Sequence, residues 1–462
     1  MPREEDVEPR TGARAEVHHP VSERDRATVA ALRVDAAPFK GKMSDPSARA
    51  PFDAIMEHTP APVGLVDYEQ AVVGGVTGFW CVPRGARATA AILYLHGGAY
   101  LLGSAAAYRH FVGQFAARTN TRAFIADYRL APEHPFPAAL DDARAAYQGV
   151  VATGARQVAI VGDSAGGGLA LALLSAAHAD AVAGRGAPPA CAVVMSPWAD
   201  LALTGGSMAE RADEDPLVTR DMLRVASASY LGDHDPRDPQ ASPLYGDLAG
   251  LPPVQLHVGT SEVLLDDTLR FAARARDAGV DATAHVWEGM PHVFPSNLGA
   301  LDAADQAFDL MAGFLRQQLA TPADEIRASQ DDRVPATHSR GHKVLLIGLE
   351  PSLVDYASLP TKLDEPTLRA MLDADVRRLR DLGYDADWLL VDRGETAGAV
   401  LSAKLESETF ACVLIGAGIR TIPPLFLLFE KVINVVHERA PGARVCFNTR
   451  PDDTAESVQR WI

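Results

Sequence analysis

VAIVGDSAGGGLALALL, residues 158–174, is the stretch of the sequence that decides the fold. Its apolar first part predicts a buried strand and its apolar last part predicts a helix, so the pentapeptide between them must form a sharp turn. Gly162 and Gly166 lack the side chains that would collide where the chain reverses. Such a turn brings the Ser164 hydroxyl to the carboxyl edge of a sheet, beside the first amides of the following helix. Ser164 is therefore the leading candidate for a nucleophile.

A second glycine turn strengthens this interpretation. The Gly-x-Ser-x-Gly pattern alone has little specificity, because a glycine-rich turn with an idle serine has the same pattern. Upstream, however, an apolar run leads into His96-Gly97-Gly98-Ala99, where small residues let backbone amides approach an oxygen closely. We expect the amides of Gly97, Gly98 and Ala165 to form an oxyanion hole, with a plain glycine turn as the alternative.

A serine nucleophile needs a base, and the base needs a carboxylate that fixes its tautomer and stabilises its charge. Among fourteen histidines, His292 follows the predicted strand 284–287 and so lies at a strand's carboxyl end. The acid should follow the predicted strand 254–258. Glu262 is nearer to the end of that strand and is favoured, whereas Asp266 lies where a helix starts and remains the alternative.

Length and charge limit the possible classes of protein. A chain of 462 residues predicts two domains plus extensions. The 43 Lys and Arg residues face 60 Asp and Glu, and the net charge of −17 argues against a general affinity for nucleic acid or an anionic membrane. No stretch resembles a membrane span and the first residues lack the apolar core of a secretory signal, so we expect a cytoplasmic protein.

The cysteines predict neither a metal site nor a disulfide framework. There are four, they are far apart and they lack the spacing of metal ligands. We expect buried, reduced thiols and no metal. The four are Cys81, Cys191, Cys412 and Cys446.

The first domain alternates short apolar runs with amphipathic segments. Residues 1–25 are charged and are expected to be a flexible arm, and residues 66–83 predict strands. The alternation over 26–320 predicts an α/β fold with a mostly parallel central sheet and helices on both faces. The apolar runs are 91–95, 123–126, 158–161, 192–195, 254–258 and 284–287.

Two segments of this domain stand apart from the alternation of strands and helices. One is the N-terminal region at about 26–60, which suggests short helices. The other is a long insertion at about 200–243, between two core strands. Because the insertion follows a strand's carboxyl end, it is positioned to cover the reaction site.

The composition changes after residue 320. Residues 321–341 are polar and predict a linker, and residues 342–462 predict a smaller parallel α/β domain of about four strands. The apolar run 422–429 is either core or an interface, with core favoured. We expect an accessory role for this domain in homo-oligomer assembly or in regulation.

Taken together, the motifs resemble those of the hormone-sensitive-lipase-like esterases, a family with the α/β-hydrolase fold. The resemblance covers about residues 26–320 and implies hydrolysis of carboxylic esters without a cofactor, under a cap built from the two segments above. Two departures stand out: Ala99 replaces a glycine, and Glu262 stands where the family usually has aspartate. The motifs are His96–Ala99, Asp127–Ala139, Gly162–Gly166, Ser242–Leu244 and Met290–Phe294.

These expectations define a function and its rivals. We expect a carboxylesterase that acts on small to medium acyl esters through Ser164, His292 and Glu262, with an acyl-enzyme intermediate. Asp163, beside the nucleophile, is interpreted as a structural hydrogen-bonding residue. A lactone or amide hydrolase of the same fold, or a non-catalytic small-molecule receptor on this scaffold, are the alternatives. Acyl length and alcohol depend on how the cap folds over the serine.

Overall fold

The structure, a computed structural model, describes residues 16–320, 342–356, 364–420, 422–448, 454–459 and 461–462. The chain divides into two compact units, with the boundary between Thr321 and Pro322. The predicted linker 321–341 lies outside the described residues, as do residues 1–15 of the predicted arm.

The first unit is built on a nine-stranded sheet with the order β1-β9-β8-β7-β6-β4-β5-β3-β2. Strand β2 pairs antiparallel with β3, and β3 with β5, while the other neighbours are parallel. This confirms the α/β-hydrolase type of sheet. The strands are β1 Glu16–His19, β2 Val66–Val73, β3 Val76–Pro83, β4 Ala90–Leu95, β5 Arg122–Ala126, β6 Gln157–Asp163, β7 Cys191–Met195, β8 Val254–Gly259 and β9 Ala282–Trp287.

Helices cover both faces of this sheet. In β4 every residue is buried, and its side chains alternate between two apolar clusters: Leu93 joins one and Ile92 joins the other. The continuous apolar runs of the central strands follow from this double burial. The helices are α1 Glu23–Ala36, α2 Arg49–Met56, α3 Ala105–Thr119, α4 Ala138–Ala152, α5 Ser164–Val182, α6 Ser207–Glu210, α7 Arg220–Leu231, α8 Leu265–Asp277 and α9 Asp302–Gln318.

The end of the predicted flexible arm is ordered in the structure. Strand β1 pairs parallel with β9, and α1 begins two residues before the predicted end of the arm. Asp25 is buried, and its carboxylate accepts hydrogen bonds from the amides of Asp302 and Ala303 at 2.7 and 3.0 Å. The charged composition of this segment therefore did not indicate that Asp25 caps the N-terminus of α9.

Among the described residues, helix α5 is long and apolar enough to cross a membrane by length and composition alone. The sequence analysis did not anticipate this. The most apolar part of the helix is 67% buried, because α5 packs between the sheet and neighbouring helices. A buried core helix of a globular unit is apolar for the same reason.

The second unit has a four-stranded parallel sheet with the order β11-β10-β12-β13, as predicted. Of the apolar run 422–429, Leu425 and Leu428 are buried but Phe426 and Leu427 are exposed, so the run is only partly core. All four cysteines of the chain are buried thiols, and Cys412 Sγ lies 3.3 Å from Cys446 Sγ. The elements are β10 Lys343–Leu349, α10 Glu365–Asp381, β11 Asp385–Val391, α11 Ala397–Ser407, β12 Cys412–Ile415, α12 Ala417–Arg420, α13 Phe426–Arg439, β13 Arg444–Phe447 and α14 Thr454–Gln459.

Candidate active site

Ser164 lies at the turn between β6 and α5, as the sequence predicts. Its φ is +52°, a left-handed conformation that is strained for a residue with a side chain. A Cβ atom on Gly162 would collide with the carbonyl oxygen of Gly166, and one on Gly166 would collide with the carbonyl oxygens of Leu95 and His96. Only glycine fits at either position, which explains why the pentapeptide has this spacing.

The structure brings the predicted base and acid to this serine. His292 Nε2 lies 2.9 Å from Ser164 Oγ, and His292 Nδ1 lies 2.8 Å from Glu262 Oε2. Glu262 follows β8 and His292 follows β9, so both come from the carboxyl edge of the sheet that also presents Ser164. The three side chains form one continuous chain of hydrogen bonds.

The alternative acid, Asp266, has a different role in the structure. Its Oδ2 accepts a hydrogen bond from the Ser207 amide at 3.1 Å. The neighbouring Asp267 accepts from the amides of Ala199 and Asp200 at 2.9 and 2.8 Å. Both carboxylates therefore hold loops next to α8, and Glu262 is the carboxylate on His292.

Glu262 is fully buried and its two oxygens do different work. Oε2 faces His292, while Oε1 accepts from the Gly259 amide at 2.6 Å and from Ser196 Oγ at 2.8 Å. Burial raises the pKa of Glu262, and the hydrogen bonds from His292, Gly259 and Ser196 oppose that rise.

His292 is held as a strong base by this carboxylate. Burial alone would lower the pKa of His292, but the hydrogen bond and the negative charge of Glu262 outweigh burial and raise the pKa above its usual value. The buried carboxylates Asp215 and Asp163 add smaller contributions in the same direction.

Asp163 is a structural residue, as predicted. It is buried and accepts hydrogen bonds from Tyr94 Oη at 2.7 Å, Tyr108 Oη at 3.1 Å and the Gly97 amide at 3.0 Å. The Gly97 amide is thus directed at Asp163. This contact conflicts with the expectation that Gly97 donates to an oxyanion, and its cause is the buried carboxylate directly before the nucleophile.

Gly98 and Ala99 instead line the cavity beside Ser164. In the part of the chain that the structure describes, the amides of Gly98, Ala99 and Ala165 donate to no protein acceptor. Ala99 has a φ of +55°. The sequence analysis did not select Ala99 as a site residue, although its position in His96-Gly97-Gly98-Ala99 was the available signal.

Both predicted cap segments line this cavity, whose volume is about 110 Å³. Ser164 and His292 are among its lining residues, and the side chains that the cap contributes are apolar. The N-terminal segment contributes Met43, Phe52, Ile55 and Met56, and the insertion contributes Leu217, Val218, Met222 and Leu223.

Two other histidines, His257 and His96, have structural surroundings. His257 is buried within β8 and accepts a hydrogen bond from Trp287 Nε1 at 3.2 Å. His96 is buried, with Nδ1 2.8 Å from the Gly97 carbonyl oxygen. Within the described ranges, no group of three or more histidine, cysteine or acidic side chains is arranged to hold a metal ion.

Comparisons with known proteins identify the fold and similar esterases. A family model described as the alpha/beta hydrolase fold matches residues 92–296. An acetyl-hydrolase of Streptomyces hygroscopicus is 40% identical over 257 residues, which cover 55% of this chain and 84% of that protein. An esterase of Acinetobacter venetianus is 37% identical over 235 residues, which cover 50% of this chain and 75% of that protein.

The matches to solved structures cover a larger share of this chain than the matches to these two relatives. The crystal structure of an esterase from the bacterial hormone-sensitive lipase family is 38% identical, with a TM-score of 0.59, and the match covers 65% of this chain and 99% of that one. A hormone-sensitive lipase from a metagenome library is 36% identical, with a TM-score of 0.60, over 65% of this chain and all of that one.

Proposed function

This chain belongs to the hormone-sensitive-lipase-like esterases, carboxylic ester hydrolases with the α/β-hydrolase fold, and we propose that Ser164, His292 and Glu262 are its catalytic triad. The observation that carries the proposal is the unbroken series of contacts Ser164 Oγ, His292 Nε2, His292 Nδ1 and Glu262 Oε2, at 2.9 and 2.8 Å. These distances fit a nucleophile, a general base and the group that orients the base.

The first half of the reaction follows from these contacts. Ser164 Oγ attacks the ester carbonyl carbon while His292 Nε2 takes the hydroxyl proton. Glu262 stabilises the imidazolium that forms and keeps the Nδ1 proton in place. The tetrahedral intermediate then expels the alcohol, which receives the proton from His292, and the acyl group remains on Ser164.

The second half repeats these steps with water. His292 takes a proton from the water, the hydroxide attacks the acyl-serine, and Ser164 leaves with the proton returned to its oxygen. No cofactor enters this scheme.

We assign the oxyanion hole to the amides of Gly98, Ala99 and Ala165. The Gly98 and Ala99 residues line the cavity, and Ala165 is at the N-terminus of α5, where amides have no partner within the helix. Gly97 supports this loop through its hydrogen bond to Asp163. A donor of this kind contributes roughly 10²- to 10³-fold to kcat in serine hydrolases.

The substrate is a carboxylic ester with a small to medium acyl group. The apolar cap side chains and the modest cavity volume favour short acyl chains over bulky acids. The cytoplasmic location expected from the sequence stays a prediction.

A substrate panel tests this proposal. The parent protein should hydrolyse p-nitrophenyl acetate and butyrate well above comparable lactones and anilides, and Ser164→Ala should lower kcat by about 10⁶-fold. Ser175→Ala is the matched control, because Ser175 lies on the same helix and bonds only to the Leu171 carbonyl oxygen; its kcat should be parental. A Ser164→Ala protein with a near-parental rate would refute the assignment, and faster lactone or anilide cleavage would favour the rival activities.

A further inference from the structure

Ser196 lies at the centre of the carboxyl edge of the sheet. It follows β7, the strand between β6 and β8, which carry Ser164 and Glu262 at their ends. Its side chain is fully buried, and its φ is +47°. A buried residue held in a left-handed conformation beside an active site is a candidate for a positioning role.

The Ser196 hydroxyl joins two members of the triad. Oγ donates to Glu262 Oε1 at 2.8 Å and accepts from the Val293 amide at 3.1 Å. A hydroxyl has one donor and two acceptor lone pairs, so both bonds form at once. Val293 directly follows His292, and it too has a left-handed φ, +49°. One oxygen atom therefore contacts both the acid and the backbone that carries the base.

The contact restrains the direction of the Glu262 carboxylate. Two donors, Ser196 Oγ and the Gly259 amide, hold Oε1, which leaves Oε2 directed at His292 Nδ1. Without Ser196, Oε1 would keep only the Gly259 amide as a donor, and the orientation of the carboxylate would be less restrained. The Val293 amide would also lose its acceptor, and the loop that carries His292 would lose its anchor to β7.

We propose that Ser196 is a positioning residue for the esterase reaction: it fixes Glu262 and the His292 loop relative to each other. The proposal rests on the proposed function, since it assigns a role relative to that triad. Ser196 is not among the residues that line the cavity, and within the described chain its hydroxyl bonds to Glu262 and the Val293 amide and not to Ser164, so its influence runs through the other two residues.

The test compares two serine-to-alanine variants with p-nitrophenyl acetate. Ser196→Ala should lower kcat by about 10- to 100-fold with KM within about twofold, because orientation of the base is lost and substrate contacts are kept. The acidic limb of its kcat/KM profile should move to lower pH, because a carboxylate that is no longer aimed at His292 raises the imidazole pKa less.

Ser207→Ala is the matched control. Ser207 is also buried. Its hydroxyl makes two hydrogen bonds with residues that follow Glu262: it donates to the Val263 carbonyl oxygen and accepts from the Asp266 amide. It contacts neither the Glu262 carboxylate nor the His292 loop. Its kcat should stay within about twofold and its acidic limb should not move, whatever happens to its thermal stability.

Ser196→Gly guards against misfolding as the explanation. Glycine accepts a φ of +47° without strain, so this variant lacks the hydroxyl but relaxes the backbone. It should lose kcat as Ser196→Ala does. A folded Ser196→Ala or Ser196→Gly protein with parental kcat and an unmoved acidic limb would overturn the proposal, as would equal losses in Ser207→Ala. Labelling of Ser164 by a fluorophosphonate in the parent protein tests the proposed function separately from the role of Ser196. A parent protein that fails to label would overturn the proposed function as well.

Discussion

The carboxyl edges of the two parallel sheets on this chain carry different kinds of polar contact. In the first unit the edge presents Ser164, Glu262 and His292, and these side chains bond to one another. In the second unit Asp392 follows β11, and its carboxylate accepts from the amides of Gly394, Thr396 and Ala397 at 2.9, 2.7 and 3.1 Å.

The comparison separates what a fold supplies from what a site requires. In both sheets the parallel strands end at one edge, as in other parallel α/β sheets. After β11, the Asp392 carboxylate accepts hydrogen bonds from the turn and from the start of the helix that follow it. At β8 the Glu262 carboxylate satisfies its loop with one oxygen and keeps the other for His292. Reactivity therefore depends on polar groups that remain after the local backbone is satisfied.

The largest effect is expected when Glu262, whose Oε2 contacts His292, loses its negative charge. Glu262→Gln should lower kcat by about 10⁴-fold, because an amide cannot hold the imidazole in the required tautomer and charge state. His292 must be neutral to accept a proton, so the activity of the parent falls as the pH drops through the pKa of His292. Glu262 raises that pKa above the ordinary histidine value of 6.5. In Glu262→Gln only the smaller contributions of Asp215 and Asp163 still oppose the effect of burial on the pKa of His292, so the acidic limb should move to lower pH.

Asp266→Asn is the control for that variant. It changes a carboxylate four residues away that contacts the Ser207 amide and not His292. Its kcat/KM should stay within about threefold and its acidic limb should stay in place. A pH profile in which Asp266→Asn shifts and Glu262→Gln does not would return the acid to the alternative that the sequence left open.

Removing the second unit sharpens the comparison from the other side. A protein ending at Ala320 should keep kcat within about threefold, because Ser164, His292, Glu262 and the residues that line the cavity belong to the first unit. If the second unit serves assembly, as the sequence analysis proposes, light scattering should show a smaller assembly for the shortened protein. Unchanged mass, activity and stability together would leave that accessory role without support.

The smallest expected effect on activity belongs to Asp392. Hydrogen bonds from the amides of Gly394 and Thr396 lower its pKa to about 2 from 3.8, so its contribution to stability is present above pH 3.8 and is lost as pH falls towards 2. Asp392→Ala should lower the thermal stability of the second unit at pH 7 and leave kcat within about twofold. A large loss of turnover would contradict the division of labour between the two edges.

Much of the first unit could be predicted because its signals are local. The apolar runs predict the central strands to within one or two residues. The sharp turn at Ser164 follows from Gly162 and Gly166. His292 and Glu262 could be selected as candidates because parallel strands place their following loops at one edge, and the structure brings both into one series of contacts with Ser164. The choice of Glu262 over Asp266 rested on distance from the strand end, and the contacts agree with it.

The remaining features depend on contacts between distant parts of the chain. Nothing in the sequence near Gly97 shows that Asp163, over sixty residues later, accepts its amide. Strand β1 was missed because three of its four residues are polar and the strand pairs with β9, which is distant in the sequence. Ser196 carries no motif, and its role follows only from the adjacency of β6, β7 and β8.

Trapping the acyl-enzyme tests the central claim most directly. The parent protein would be mixed with p-nitrophenyl acetate, quenched with acid during the first turnovers, digested and mapped by mass spectrometry. The account predicts one acetyl group per chain, on the peptide that contains Ser164, and none in Ser164→Ala. Full esterase turnover with no acetyl group on Ser164, or with the acetyl group on another residue, would contradict it.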